Sequence, residues 1–255
     1  MICINHNTYE MLCLDVVQII CDFSDLRTQI NLIAACKEYD EYLKIRKLNC
    51  TQRIDIGNEI VYKITQEIIQ QKKFDKLQKL YAYNNNNIRD LTHLQNTLTE
   101  LDCSCNCGID QKGISELTKL QKLNADSNSK IINVNHLQNT LVELNCSHIC
   151  GIDQKGISEL TKLQKLNASG NNKIKDINHL QNTLIELRCY ADCAIDQKGI
   201  SNLKVLQKLN VGSSNKITDV NHLQNTLIGL DCAYNCGINQ KGISALKVLQ
   251  KLCKR

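Results

Sequence analysis

A chain of 255 residues can bury a sizeable core in one or two domains. This one must build it from leucine and isoleucine, because it holds no proline, no tryptophan and two phenylalanines. Its net charge of +5 is the small difference between 31 basic and 26 interspersed acidic residues, which argues against the concentrated basic stripe of a nucleic-acid binder. The first helical stretch carries Asp15, Asp22 and Asp25 rather than a basic start and a clean apolar run, so no secretory leader is expected. No stretch approaches the roughly 20 apolar residues of a membrane span. Fifteen cysteines without such a leader point to free thiols in a reducing intracellular setting, cytoplasmic or nuclear.

Helical spacing comes first along the chain. Val16, Val17, Ile20 and Phe23 fall at i, i+1, i+4 and i+7, one face of a helix. Ile30, Ile33 and Ala34 continue as a second helix, with Tyr39, Tyr42 and Leu43 following. Ile60, Ile64 and Ile68 predict a last helix, leading through Gln70-Gln71-Lys72-Lys73 into the remainder. Residues 1–50 then form a helical module and 51–73 a helical connector.

Within that module, Leu12, Asp15, Val16, Val17, Ile20, Phe23, Asp25-Leu26 and the segment Ala35-Cys36-Lys37-Glu38-Tyr39 resemble the F-box. The segment is similar to that family's Val-Cys-Lys-x-Trp/Tyr. The chain departs from the family at Cys13, where proline usually follows leucine, and in having no tryptophan. The resemblance implies helices that dock on a Skp1-type adaptor of a cullin ubiquitin ligase, with Leu12, Val16, Val17, Ile20, Cys36 and Tyr39 as adaptor-binding residues. A plain amphipathic helical cap over the raw end of a solenoid would carry much of the same pattern, and the two roles are compatible.

Beyond residue 73 the chain repeats itself. His-Leu-Gln-Asn-Thr-Leu occurs at His93, His136, His179 and His222, 43 residues apart each time. Each unit holds the pattern L-x-x-L-x-[CA]-x-x-[NDS] twice. Its second leucines are Leu80, Leu101, Leu123, Leu144, Leu166, Leu187, Leu209 and Leu230, with a partial copy at Leu252, in steps of 21 and 22 residues. Over residues 74–255 this resembles the leucine-rich repeat family. The resemblance implies an α/β solenoid of eight repeats and a partial ninth, preceded by the all-α module. Parallel strands would line its concave face, with short helical or 3₁₀ segments returning the chain. The residues agree: Leu101 and Cys103 alternate with polar neighbours as a half-buried strand requires.

Two ladders fit that register. Glu100, Lys122, Glu143, Lys165, Glu186 and Lys208 would place opposite charges side by side on neighbouring strands. Cys103, Ala125, Cys146, Ala168, Cys189, Val211 and Cys232 would form a core column of small side chains. Cysteines two strands apart, about 9–10 Å between Cα atoms, are too distant for disulfides. A second series, Cys107, Cys150, Cys193 and Cys236, gives four C-x₃-C pairs, but their placement on separate rungs argues against a shared zinc ion. The repeat histidines are likewise too far apart to share a metal. Asn85, Asn106, Asn128, Asn171 and Asn235 occupy the position where leucine-rich repeats place a backbone-bonding asparagine, interrupted by Ile149, Asp192 and Ser214.

The four copies differ most at the outward strand positions: Asp102, Ser104 and Cys105; Asn145, Ser147 and His148; Arg188, Tyr190 and Ala191; Asp231, Ala233 and Tyr234. Neutral drift at exposed sites is one reading of this variation. The other is a binding surface for a protein partner on the concave face, carried by Tyr81, Tyr83, His148, Arg188, Tyr190 and Tyr234, because tyrosine and arginine dominate interface energies. No phosphate-binding glycine loop or metalloprotease motif is present, nearly every Cys and His is a repeat position, and no catalytic residue, metal or cofactor is expected. Lys112, Lys155, Lys198 and Lys241 read as a solvated ridge rather than a nucleic-acid site, and no membrane partner is expected.

The combined expectation is a substrate-recognition adaptor of a Skp1–cullin–F-box ligase. Its helices would dock the adaptor and its concave sheet would hold the target. The alternative is a plain leucine-rich interaction protein with a helical cap. The low proline and high asparagine and lysine content resembles F-box/leucine-rich repeat proteins of giant DNA viruses and amoebae, for which a host-cell setting would follow.

Overall fold

The computed structural model describes residues 14–35, 37–50, 54–56, 59–61 and 64–253. Three helices open it: α1 (Leu14–Phe23), α2 (Leu26–Ile33) and α3 (Lys37–Tyr42). Asp25 caps α2 by accepting the Thr28 N–H at 2.9 Å. Strand β1 (Lys47–Asn49) follows, then the hairpin β2 (Ile54–Ile56) and β3 (Glu59–Val61), and the short helix α4 (Gln66–Ile69). Three-residue strands then recur: β4 (Lys79–Tyr81), β5 (Glu100–Asp102), β6 (Lys122–Asn124), β7 (Glu143–Asn145), β8 (Lys165–Asn167), β9 (Glu186–Arg188), β10 (Lys208–Asn210), β11 (Gly229–Asp231) and β12 (Lys251–Cys253). One helical turn, α5 (Gln111–Ile114), and a series of 3₁₀ turns return the chain between them.

Ten strands, β1 and β4 to β12, form one parallel sheet in chain order, with leucine opposite leucine from Leu48 and Leu80 onward. Each central leucine from Leu48 to Leu230 is at most 2% exposed, while its neighbours point out of the core, as the two-residue period of a strand demands. No rung of three paired residues could stand alone. Stacking supplies both the hydrogen-bond partners and the apolar contacts.

The sheet starts at Lys47, inside the stretch that the periodicity made helical, so it has one rung more than the nine strands expected. In place of the helix expected over Ile60, Ile64 and Ile68, β3 covers Glu59–Val61 and α4 spans only Gln66–Ile69. Isoleucine and valine favour extended backbone, and Ile64 and Ile69 are core residues of the first rung, both fully or almost fully buried. The first rung was hidden because the stretch between Cys50 and Ile64 is eight residues longer than its counterpart between Cys103 and Ile109. Its Lys47-Leu48-Asn49-Cys50 matches the strands that follow.

The helices seal this rung. The Gln18 side chain accepts the Lys44 N–H at 2.8 Å and donates to the Lys44 carbonyl at 3.0 Å. Arg46 pairs with Asp22 at 3.0 Å. Leu43 and Ile45 lie fully buried beneath. No helix among the described residues is long and apolar enough to cross a membrane.

Two kinds of rung alternate. Rungs that begin with glutamate carry cysteine in the core: Cys103, Cys146 and Cys189 are fully buried, and Cys232, on the rung that begins with Gly229, is nearly so, with Ala125, Ala168 and Val211 between them. The second series is also interior, Cys107, Cys150 and Cys193 being fully buried and Cys236 half-buried. Every cysteine among the described residues is a free thiol. Burial pushes the Cys150 thiol up to about 11 and raises Cys103 and Cys146 well above the ordinary thiol range. These groups pack as small apolar side chains.

Rungs that begin with lysine carry the stitching. Asn128 donates to the carbonyls of Cys103 and Ile109 at 2.8 and 3.1 Å and accepts the Lys130 N–H. Asn171 does the same with Cys146, Ile152 and Lys173, and Asn85 reaches the Ile64 carbonyl. The asparagine ladder is therefore regular on every second rung. Asn106 and Asn235 are exposed, as are Ile149 and Asp192, because in their rungs the cysteine one position later turns inward instead. Ser214 is the true interruption: its hydroxyl is buried without a hydrogen-bond partner.

Three further stitches repeat. The Gln111 side chain accepts the N–H groups of Ile132 and Asn133, both at 2.9 Å, and donates to the Asn133 carbonyl at 2.9 Å. Gln154 and Gln197 repeat the clamp one unit on. Gln66 makes it in the first rung, with Arg89 and Asp90. Lys130, Lys173 and Lys216 donate to the carbonyls of Cys107, Cys150 and Cys193. The repeat histidines meet the carbonyls of Ile69, Ile114, Ile157 and Ile200 at 3.0–3.2 Å through Nε2.

Two stability effects follow. Asn171→Ser should cost about 1–3 kcal/mol, because two buried carbonyls lose their donor. Ser214→Asn should gain about 1 kcal/mol by supplying the missing one. Urea unfolding of both variants checks this, and equal midpoints for the two would refute it. Burial also pushes His136, His179 and His222 below the ordinary imidazole range. In the folded chain they resist protonation, whereas unfolded imidazoles protonate near pH 6.5. Stability is therefore fully present above that value and falls as pH drops through it toward the folded values. The triple variant His136→Gln, His179→Gln, His222→Gln should flatten this slope in thermal melts taken across the acid range.

Candidate protein-binding face

The sheet face opposite the core is built from the residues flanking each central leucine. On one side of the leucines runs the charge ladder. Lys79 reaches Glu100 at 3.2 Å, and Glu143 bridges Lys122 at 3.2 Å and Lys165 at 2.8 Å. Burial works to raise the Glu143 carboxyl, but hydrogen bonds from Lys165 and Lys122 carry it below its ordinary range. Such half-exposed pairs contribute a few tenths to about 1 kcal/mol each, so the ladder steadies the face more than it holds the fold together.

On the other side lie Tyr81, Asp102, Asn124, Asn145, Asn167, Arg188, Asn210 and Asp231, in register. Together with the ladder they floor a depression of about 390–470 Å³ over β4–β9 and again over β9–β12. Tyr81 donates its hydroxyl proton to Glu100 Oε1 at 2.6 Å, and its ring lies 5.5 Å from the Lys47 ammonium. Burial, then the Glu100 carboxylate, pushes this phenol up to about 12. Arg188 turns back on Glu186 at 3.0 Å and remains exposed.

The expected patch therefore divides. Tyr81 and Arg188 stand in the floor. Tyr83, His148 and Tyr234 stand exposed on the rim where the strands end, and Tyr190 is half-buried there. Of the outward positions read from sequence, Ser104, Ser147 and Ala233 are buried. The chain curls at each strand end: the Ser147 N–H and hydroxyl bond back to Asn145 Oδ1, and the hydroxyl also meets Asp126 at 3.0 Å. Asp126 also holds His148, its Oδ1 lying 2.7 Å from Nδ1. The Tyr83 phenol is raised by a hydrogen bond with Cys105.

The rim position has left-handed backbone in every rung from β4 to β11, with φ between +54° and +65°. Asn84 and Gly170 suit it. Cys105, His148, Ala191 and Tyr234 occupy it at a cost in strain, and these are the positions where the copies differ. Ser127 and Ser213 hold the same conformation, so the left-handed turn belongs to the repeat, and what varies is the side chain that it presents at the rim.

At the other end of the molecule, α1 turns Val17 and Cys21 to the core and Val16, Ile19, Ile20 and Phe23 to solvent. Tyr39 is half-buried against the core. Leu12 and Cys36, expected as adaptor contacts, lie outside the described residues. Ile19 was missed in the sequence, although its place at i+3 between Val16 and Phe23 completes a helical stripe.

No protein-family model matches the chain, and no curated protein matches it. Solved structures do. A chain in the crystal structure of a TLR13–ssRNA13 complex aligns over 85% of this chain and 33% of its own length, at 20% identity and TM-score 0.53. The fold is a leucine-rich repeat solenoid. Two internalins of Listeria monocytogenes also align: inlF at 23% identity over 71% of this chain and 68% of its own, and inlC2 at 20% over 76% and 77%, each with TM-score 0.45. At these identities the likeness concerns the path of the solenoid's backbone alone.

Replacing Tyr234 by glycine relieves the left-handed strain and should raise unfolding free energy by about 1 kcal/mol. A destabilised Tyr234→Gly variant in urea titration would show that the tyrosine packs into the fold instead of standing on the rim for contact.

Proposed function

We propose that this protein is a two-surface interaction scaffold: the helical end docks on a Skp1-type adaptor of a cullin ubiquitin ligase, and the outward sheet face with its rim holds the target protein. The observation that carries the adaptor half is the stripe on α1. Val16, Ile19, Ile20 and Phe23 are 42%, 55%, 47% and 90% exposed, at helical spacing on one face. The opposite face is fixed to the first rung through Val17, Cys21 and the Gln18–Lys44 bonds. A contiguous apolar stripe of this kind on a soluble surface marks a docking site, and a helix laid into an apolar groove is a common recognition mode.

The target half is supported by the depression on the sheet and by the tyrosine, histidine and arginine side chains on its floor and rim. These residue types supply much of the energy in protein interfaces. The second reading, a plain scaffold whose helices only seal the solenoid, is favoured by the close fit of Leu43 and Ile45 under the helices. That fit accounts for the inner face of α1 and leaves the outer stripe without a role.

Co-expression of the full chain with a Skp1-type adaptor should give a complex that co-elutes in size-exclusion chromatography. Ile19→Asp with Phe23→Asp should abolish it while leaving the melting temperature unchanged, since both side chains are exposed. A well-folded chain that forms no complex with the adaptor would leave only the plain scaffold.

A further inference from the structure

The lysine–glutamate ladder across the outward face starts at Lys79, which stands beside Lys47, and loses its glutamate at β11. From Lys79 to Lys208 each second rung supplies a glutamate between two lysines: Glu100, Glu143 and Glu186. On β10, β11 and β12 the same register places Lys208, Gly229 and Lys251 side by side. Nothing in the backbone requires glycine at 229. An added Cβ there would meet only the Lys208 side chain, at an ordinary 3.8 Å. By contrast, a Cβ on Gly156 would lie 2.2 Å from the Ile132 carbonyl oxygen. Glycine inside a strand weakens it, and here it also removes a bridging carboxylate.

The two lysines are left over. Among the described residues neither Lys208 nor Lys251 has an ion-pair partner. The nearby carboxylates are engaged elsewhere: Glu186 takes Arg188 at 3.0 Å, and Asp231 accepts from the Asn210 side chain at 3.1 Å and the Ala233 N–H at 3.3 Å. Both lysines are exposed and line the depression over β9–β12, about 390 Å³ in volume.

We infer that this gap receives a carboxylate from the bound protein: a glutamate or aspartate side chain of an acidic segment enters over Gly229 and bridges Lys208 and Lys251. The inference rests on the proposed use of the outward face for binding and adds the chemistry that one part of it selects. The ladder itself supplies the template. Glu143 bridges two lysines standing on the strands either side of it, at 3.2 and 2.8 Å, and the lysines flanking Gly229 have the same two-strand separation, about 9.6 Å between Cα atoms. A partner's carboxylate would take up the place that glycine leaves open. Because the site is exposed to solvent, it would act more on partner choice and encounter rate than on raw affinity.

Titration of a pentaglutamate peptide into the full isotope-labelled chain, followed by amide chemical shifts, tests this. Shifts should centre on Lys208, Gly229 and Lys251, and binding should weaken as salt is raised. Gly229→Glu fills the gap from within and should weaken binding about tenfold or more, with a melting temperature equal to or above that of the parent, so loss of folding cannot mimic the effect. Lys208→Gln with Lys251→Gln should weaken it to a similar extent. Unchanged affinity of Gly229→Glu overturns the inference, as does the absence of any shift on the face. Shifts confined to β4–β9 also overturn it, while leaving the face as a binding surface.

Discussion

The backbone of this solenoid leaves strand geometry after every three residues, and the polar groups of the turns must still be satisfied. Side-chain amides at fixed positions meet that demand. Gln111, Gln154 and Gln197 each make three hydrogen bonds to the backbone of the next rung, and Asn128 and Asn171 each donate two bonds to carbonyls of the rung before. A buried backbone group without a partner costs about 1–3 kcal/mol. The apolar column of leucines could not stay buried if the turns beside it frayed. The unchanging phrases of the repeat are therefore the polar ones at least as much as the apolar ones.

The stitching also explains why the unit is two rungs. Asparagine and lysine on one rung reach back to the carbonyls of its predecessor, and that predecessor carries two small thiols in place of an asparagine of its own. From β4 to β9 charge follows the same alternation, glutamate on the thiol rungs and lysine on the asparagine rungs. Once the scaffold is fixed in this way, few positions are free to vary. They fall on the floor of the sheet and on the left-handed rim, where a side chain affects what the surface meets more than whether the chain folds.

Much of this was legible in the residues. Strand positions, register, the charge ladder and the cysteine core follow from a pattern that repeats with little change. Three things were not. The first rung was disguised by the insertion between Cys50 and Ile64, although Gln66 and Ile69 keep the spacing of Gln111 and Ile114. Ser104 and Ser147 alternate like outward strand residues, but a local hydrogen bond to the side chain two residues earlier curls them under. The faces of α1 were also hard to assign, because Val16 and Val17 are both apolar and only packing decides which is buried. In each case the competing influence was a contact distant in sequence or a turn specified by one side chain, neither of which periodicity registers.

The alternation has a consequence for how such a chain can change length. Removing a single rung would set lysine beside lysine on the ladder and would aim an asparagine at a rung that already has one. Removing or adding 43 residues leaves every neighbour as it was. Growth of this array is therefore quantised in pairs of rungs, and unequal recombination within the repeat could lengthen or shorten the binding face in steps of about 9.6 Å with no penalty at the junction. The breadth of surface offered to a partner is a heritable variable that can be altered without disturbing the fold.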